Sequence, residues 1–385
     1  MARSSISYLW RDTKAPQGFR SGVSLHSHTN QSKETLAFLA KFGNQFPAMK
    51  RLMARLERRS EANHGMRVNY KASYWTPPMT PKLAFDLESE QIEELDVAPM
   101  VSLSDHDTIK GPMLLSAMPG NREIPVSVEW TVPFGAQTFH LGVHNLPSTK
   151  ATEWMATLAE YTANPRPARL TEILVGLNDH PDVLLVFNHP AWDLYMIGKE
   201  NHAFQVNDFL QRHGSHLHAL ELNGLRDWDE NRATRRLAEK WNMLLISGGD
   251  RHGVEPNANI NLTNAATFPE FVHEIRRQKK SDILFMPQYA EPWKLRILQS
   301  AIDAVRHYPE FPQGSRTWDE RVYHPDANGV PRPLCELWPD GTPPGTMTWG
   351  VRLVQLMGRR LVSGGLRIVW SDADQLQLAL GEHDI

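Results

Sequence analysis

Residues 21–30 read SGVSLHSHTN, an apolar run that hands over to two histidines one residue apart. Side chains along a strand alternate between faces, so Val23 and Leu25 fall on one side while Ser24, His26 and His28 fall on the other. Two imidazoles then face one point. The same handover recurs down the chain. MVSLSDHDT (100–108) ends on Asp105, His106 and Asp107, and IPVSVEWTV (124–132) carries Glu129. TFHLGVH (138–144) puts His140 and His144 on one face, VLLVFNHPAWD (183–193) ends on Asn188 and His189, and LLISGGDRHG (244–253) ends on Asp250, Arg251 and His252. A lone histidine at a strand end is usually a core or loop residue. Six strands that each present His, Asp or Glu strain that explanation.

The runs predict short apolar strands at 23–25, 100–103, 124–128, 139–143, 183–187, 217–222, 243–246 and 283–286, the pattern of a sheet covered on both faces. Helical spacing separates most of them, at 85–95, 153–162, 170–177, 233–241 and 268–280. Alternating β and α over this length implies an α/β barrel or a doubly wound sheet. In a barrel all C-terminal strand ends open onto one face, so ligands far apart in sequence converge there. Packed carboxylates and imidazoles without compensation are costly, and divalent cations are the natural remedy. The reading is a polynuclear metal site.

Two segments interrupt the alternation. The first, 31–79, contains FPAMKRLMARLERR, with Met49, Leu52, Met53 and Leu56 on one helical face and Lys50, Arg51, Arg55, Arg58 and Arg59 on the rest. It reads as an inserted helical excursion, either a solvated basic face or a lid that attracts an anion. The second is the region after about residue 290, with helical stretches at 295–308 and 349–361. Between them, nine of the 21 residues from 325 to 345 are Pro or Gly, so that span reads as a loop. The expected organisation is a barrel domain at 1–290, with 31–79 inserted, followed by an extension at 291–385.

Composition narrows the chemistry. The 385 residues carry 41 Lys and Arg against 44 Asp and Glu, and a net charge of −3 gives no bulk attraction to nucleic acid or anionic membranes. The single cysteine, Cys335, excludes an internal disulfide, Cys-based zinc sites and iron–sulfur clusters, whereas 17 histidines supply nitrogen ligands for zinc, manganese or iron. The N-terminus lacks the apolar stretch of a secretory signal and no run reaches a membrane span, so a cytoplasmic protein is expected.

The ordered set His26-Ser27-His28, Asp105-His106-Asp107, Glu129, His140, His189-Pro190 and Asp250-Arg251-His252 resembles the motifs of the PHP (polymerase and histidinol phosphatase) domain family. The resemblance spans residues 21 to about 286. It implies an α/β fold, a distorted seven-stranded TIM-like (βα) barrel, and metal-dependent phosphoester hydrolysis with two or three divalent ions. It also implies the ligands. His26, His28, Glu129 and Asp250 would hold one ion, with Glu129 bridging to a second held by His140 and His189. His106 and His252 would belong to a third. Family members complete that third site with an Asp or His shortly after H-x-H, ahead of a Ser/Thr-Pro. Here the matching pair is Thr80-Pro81, which puts Thr76 at the ligand position, with His64 or Asn30 as substitutes. His144 competes with His140 because both project from one face.

The catalytic candidates are Glu129 as the bridge, His106 and His252 as proton donors to the leaving oxygen with a metal-bound water as the alternative, and Arg251 as either a forked clamp on phosphate oxygens or a structural salt bridge. The expected substrate is a small phosphorylated molecule. A phosphodiesterase or nuclease, an amidohydrolase-like hydrolase and a metal-free interaction module are the alternatives. No membrane partner is expected, nucleic acid is disfavoured, and the insertion and extension could serve a homo-oligomer contact.

Overall fold

The computed structural model describes residues 3–37, 51, 54–55, 57–58, 61–62, 68–121, 123–338 and 341–370. Its strands follow in chain order, the central ones rich in branched and aromatic residues. They are β1 (Arg3–Tyr8), β2 (Ser21–Leu25), β3 (Glu34–Thr35), β4 (Tyr74–Trp75), β5 (Ala98–Ser102), β6 (Val128–Phe134) and β7 (Gln137–His144). There follow β8 (Leu184–Asn188), β9 (Ala219–Asn223), β10 (Leu244–Gly248), β11 (Asn259–Thr263), β12 (Lys280–Phe285), β13 (Val322–Pro325) and β14 (Pro331–Pro333).

The architecture is mixed α/β. One five-stranded sheet runs β1-β12-β11-β2-β5, another runs β10-β9-β8-β7-β6, and a small third sheet runs β14-β13-β4-β3. The expected closed barrel is not formed as a continuous ladder among the described residues. Two isolated bridges, Ser27 to Arg251 and His106 to Glu129, span the gaps at the strand ends instead. Side chains also seam the sheets. Ser4 Oγ donates to Leu245 O at 3.3 Å and accepts from Leu245 N–H at 2.8 Å, and Asn261 Oδ1 accepts from Ser247 N–H at 3.0 Å.

Nor are the strands uniformly parallel: β6 and β7 are antiparallel, as are β7 and β8, while β11 runs against both β12 and β2. The cause at β6/β7 is local. Gly135, with φ +59°, and Ala136 make a two-residue connection, which joins only antiparallel neighbours. That hairpin moves the strand expected at 124–128 to Val128–Phe134. Strands β1 and β11 escape an apolar-run reading because Ser and Asn alternate through RSSISY and NINLT.

Helices pack outside the sheets. Thr80, matched above to a family motif, caps Pro81–Glu93 by accepting from Leu83 N–H at 3.2 Å. The helix Lys199–His213 lies in a segment where no helix was expected. After residue 290 the helix Trp293–Val305 packs back on the sheet ends, with Trp293 Nε1 donating to Leu225 O at 3.1 Å and Arg296 to the carbonyls of Gly224 and Arg226. The expected loop at 325–345 is interrupted by β14 and the turn of helix Leu334–Leu337; β14 tolerates its prolines as an edge strand. Expected helix 349–361 divides at Gly358 into Gly345–Met357 and Arg360–Val369. Of the basic stretch, residues 51, 54, 55, 57 and 58 are helical; the rest of it, His64 and residues 371–385 lie outside the described residues. No helix among the described residues is long and apolar enough to cross a membrane.

A buried histidine away from the strand ends gives a pH dependence. His218 Nδ1 accepts from Leu185 N–H at 2.8 Å, so its proton sits on Nε2, which donates to Asn178 Oδ1 at 2.8 Å. Burial, aided by Arg276 and Lys279, pushes it down to about 3. The unfolded chain protonates this position below about pH 6.5 and the folded chain does not. Its contribution is therefore present above that pH and lost on acidification, at about 1.4 kcal/mol per pH unit. The melting temperature should fall from pH 6 to 4, and His218→Asn should flatten that slope. Equal slopes in the two proteins would contradict it.

Candidate metal centre

At the C-terminal ends of β2, β8 and β10 the backbone does something costly. His26, His189 and Asp250 adopt φ values of +65°, +29° and +53°. Left-handed backbone at a non-glycine residue costs roughly 1–3 kcal/mol and persists where surroundings enforce it, often at functional sites. These same three residues bring ligand atoms within 4.8 Å of one another. Alternation therefore ends at Leu25, and the turn at His26, rather than a continued strand, brings the His26 and His28 rings to 5.0 Å.

Glu129, fully buried on β6, lies at the middle of the group. Its Oε2 faces His26 Nε2 at 2.9 Å, His106 Nε2 at 3.2 Å and His28 Nε2 at 3.3 Å. Its Oε1 faces His189 Nε2 at 3.1 Å and His140 Nδ1 at 3.4 Å. One carboxylate thus divides two sets of imidazoles. Asp250 Oδ1 stands 3.5 Å from both His26 Nε2 and His28 Nε2.

The residues fit divalent ions. Ligands about 2.1 Å from a tetrahedral ion lie roughly 3.4 Å from one another, close to the spacings here. His26 Nε2, His28 Nε2, His140 Nδ1 and Glu129 Oε2 are buried and lack a hydrogen bond. Glu221 sets the tautomer: its Oε1 accepts from His26 Nδ1 at 2.6 Å, leaving the Nε2 lone pair free for a metal, and its Oε2 accepts from His189 N–H at 2.8 Å. A side chain at Gly248 would collide with that carboxylate, which is why glycine stands there.

Electrostatics are strongly coupled. Burial alone would raise the carboxyls of Glu129 and Asp250, but the surrounding imidazoles hold both well below the usual range. In turn, Glu34, Asp250 and Glu129 overcome burial and carry His28 up to about 9, and Glu129 with Glu34 carries His106 up to about 10. Negative charge is concentrated where a cation would sit.

The third group corrects the sequence-based expectation. Thr76 is not in it; its N–H donates to Arg321 O. Asn30 is not either, since its Nδ2 reaches Ser315 Oγ and its Oδ1 accepts from Gln31. The carboxylate is Glu34, with Oε2 3.3 Å from both His106 Nε2 and His252 Nε2, and His28 beside it. Glu34 follows His28 by six residues in a polar stretch, and a search for an acid within two turns of the H-x-H would have found it.

Of the two expectations for Arg251, the structure favours the salt bridge over the phosphate clamp. Its guanidinium is spent on Glu88 at 3.2 Å and on the carbonyls of Gly253 and Val254 at 2.9 Å each. Among the described residues Arg226 also stands at the site, 3.7 Å from Asp250 Oδ2, 4.0 Å from Glu230 Oε2 and 4.2 Å over the ring of Trp192. Between the two strand-β7 histidines, His140 joins Glu129 and His106, while His144, four residues further along, takes Ser102 Oγ at 2.9 Å and is pushed down to about 3 by burial. Asp107 Oδ1 accepts from Thr131 N–H at 2.8 Å.

No family model and no curated protein matches the chain. Among solved structures it is similar to PsfC from Pseudomonas syringae PB-5123, at 16% identity over 74% of this chain and 97% of that one, with a TM-score of 0.42. It is similar to an amidohydrolase from Chromobacterium violaceum carrying sulfate and no metal, at 15% identity over 46% and 84%, with a TM-score of 0.32. It is also similar to a proposed metal-dependent phosphoesterase from Bifidobacterium adolescentis, at 16% identity over 52% and 91%, with a TM-score of 0.32.

Proposed function

We propose that this chain is a metal-dependent phosphoesterase of the PHP kind, built on a distorted barrel and acting on small phosphorylated molecules. The observation that carries the reading is Glu129, whose two oxygens each face a separate set of imidazoles. His26, His28, Glu129 and Asp250 would hold one divalent ion, Glu129, His140 and His189 a second, and Glu34, His106 and His252 a third. Such ions supply Lewis acidity toward a phosphoryl oxygen and bring the pKa of water toward neutrality.

The chain's own residues supply the rest. Glu129 fixes the distance between the first two positions. His106 and His252, with side chains 15% and 13% exposed, are the more exposed imidazoles of the cluster; as ligands they would hold the third ion towards the leaving oxygen, whose proton would then come from solvent water. Arg226, braced on Trp192, takes the phosphate oxygens in place of Arg251. Trp75 packs beside His252, with ring centroids 6.0 Å apart. An amidohydrolase-like reaction fits less well, because His252 closes a third group with Glu34 beyond Asp250.

Protein loaded with zinc, manganese or iron should release inorganic phosphate from small phosphomonoesters faster than it cleaves single-stranded nucleic acid or cyclic amides. Amide hydrolysis without phosphate release would overturn the assignment. Polymer cleavage with little action on small esters would turn it to a nuclease.

A further inference from the structure

Glu34 sits on a strand of two residues; its Oε1 accepts from Ser32 Oγ at 2.6 Å, while its backbone depends on the strands paired with it. Its cross-strand partner is Trp75 on β4, and the other side of Trp75 pairs with Val322 on β13. Thr35 and Tyr323 flank Tyr74 in the same order, and the Tyr74 and Tyr323 rings stack at 4.8 Å. Further bonds bind the layers: Thr76 N–H to Arg321 O at 2.9 Å and Asn69 N–H to His324 Nε2 at 2.9 Å. Cross-strand partners share a face, so Glu34 and Trp75 point the same way, and Trp75 lies against His252.

Strand β13 is in turn rigidly mounted. The fully buried Arg321 donates to the carbonyls of Ser315, Ala304 and Arg306 at 2.8, 2.8 and 2.7 Å. In the helix before it, Asp303 Oδ2 accepts from Val254 N–H at 2.6 Å, two residues beyond His252. Both His252 and Glu34 are therefore tied to the segment after residue 290.

We propose that this C-terminal extension is a working part of the metal centre: β13 positions Glu34 through β4, so that the third ion depends on it and the other two do not. Glu34 is the ligand, and Tyr323 is a positioning residue. The proposal rests on the metal-dependent reading of the clusters and adds a selective dependence that the reading does not require.

The full-length chain is titrated with manganese and with zinc, ions per chain are counted by elemental analysis, and circular dichroism monitors the fold. Wild type should bind three ions and Glu34→Gln two. Tyr323→Pro, which removes an N–H and the stacked ring, should match Glu34→Gln, with the last ion weakened at least tenfold and the first two unchanged. Should Tyr323→Pro fail to fold, Tyr323→Ala keeps the backbone and should weaken the last ion alone. Three ions at wild-type affinity in the folded Tyr323 variants, or equal loss of all three, would overturn the proposal. A wild type with two ions overturns it while leaving the phosphoesterase reading intact, and a wild type with none overturns both.

Discussion

Glu129→Gln is expected to cut turnover by at least about a thousandfold, equivalent to roughly 4 kcal/mol of transition-state stabilisation. Glutamine has the same shape, so the strand pairing of β6 with β7 and the contact from Asn188 Nδ2 to Oε1 at 3.0 Å keep their geometry. What disappears is charge. Five imidazole nitrogens face this carboxylate within 3.4 Å, and an amide supplies no charge to either cation beside them. Metal content should fall with activity, while circular dichroism stays that of wild type. Near-wild-type turnover would show that the two oxygens of Glu129 do not serve two ions.

Chelation should remove activity to background and lower the melting temperature by roughly 5 °C or more. Ions that bind only the folded chain stabilise it by mass action, about 4 kcal/mol for one held at a thousand times its dissociation constant. In a chain of 385 residues each kcal/mol moves the midpoint by about 1.2 °C, so one ion held this tightly accounts for about 5 °C and further ions add to it. Supplementation with zinc or manganese should restore both properties. A midpoint unmoved by chelation, in protein that elemental analysis shows to have been loaded, would place the ions outside the folded core.

Much of this site was legible in the sequence. His26, His28, Glu129, His140, His189, Asp250, His106 and His252 are each attached to an apolar run, and a run that must be buried fixes the end at which its polar neighbours emerge. The α/β class followed from the same runs. Glu34, Glu221 and Arg226 did not announce themselves. Glu221 is a polar residue inside the apolar strand β9, and nothing local says that its partner is His26, 195 positions away. Arg226 and Arg251 are alike as sequence, and only packing commits Arg251 to Glu88 while leaving Arg226 beside Asp250. Likewise, strand alternation placed His140 and His144 on one face, and the depth of each along β7 decided which of them meets Glu129. The sequence by itself determined which residue types converge at the strand ends, because burial and periodicity are local properties of the chain. The tertiary structure alone decided which carboxylate joins the third group and which arginine stands beside Asp250, because those choices depend on contacts between segments that sequence separation leaves independent.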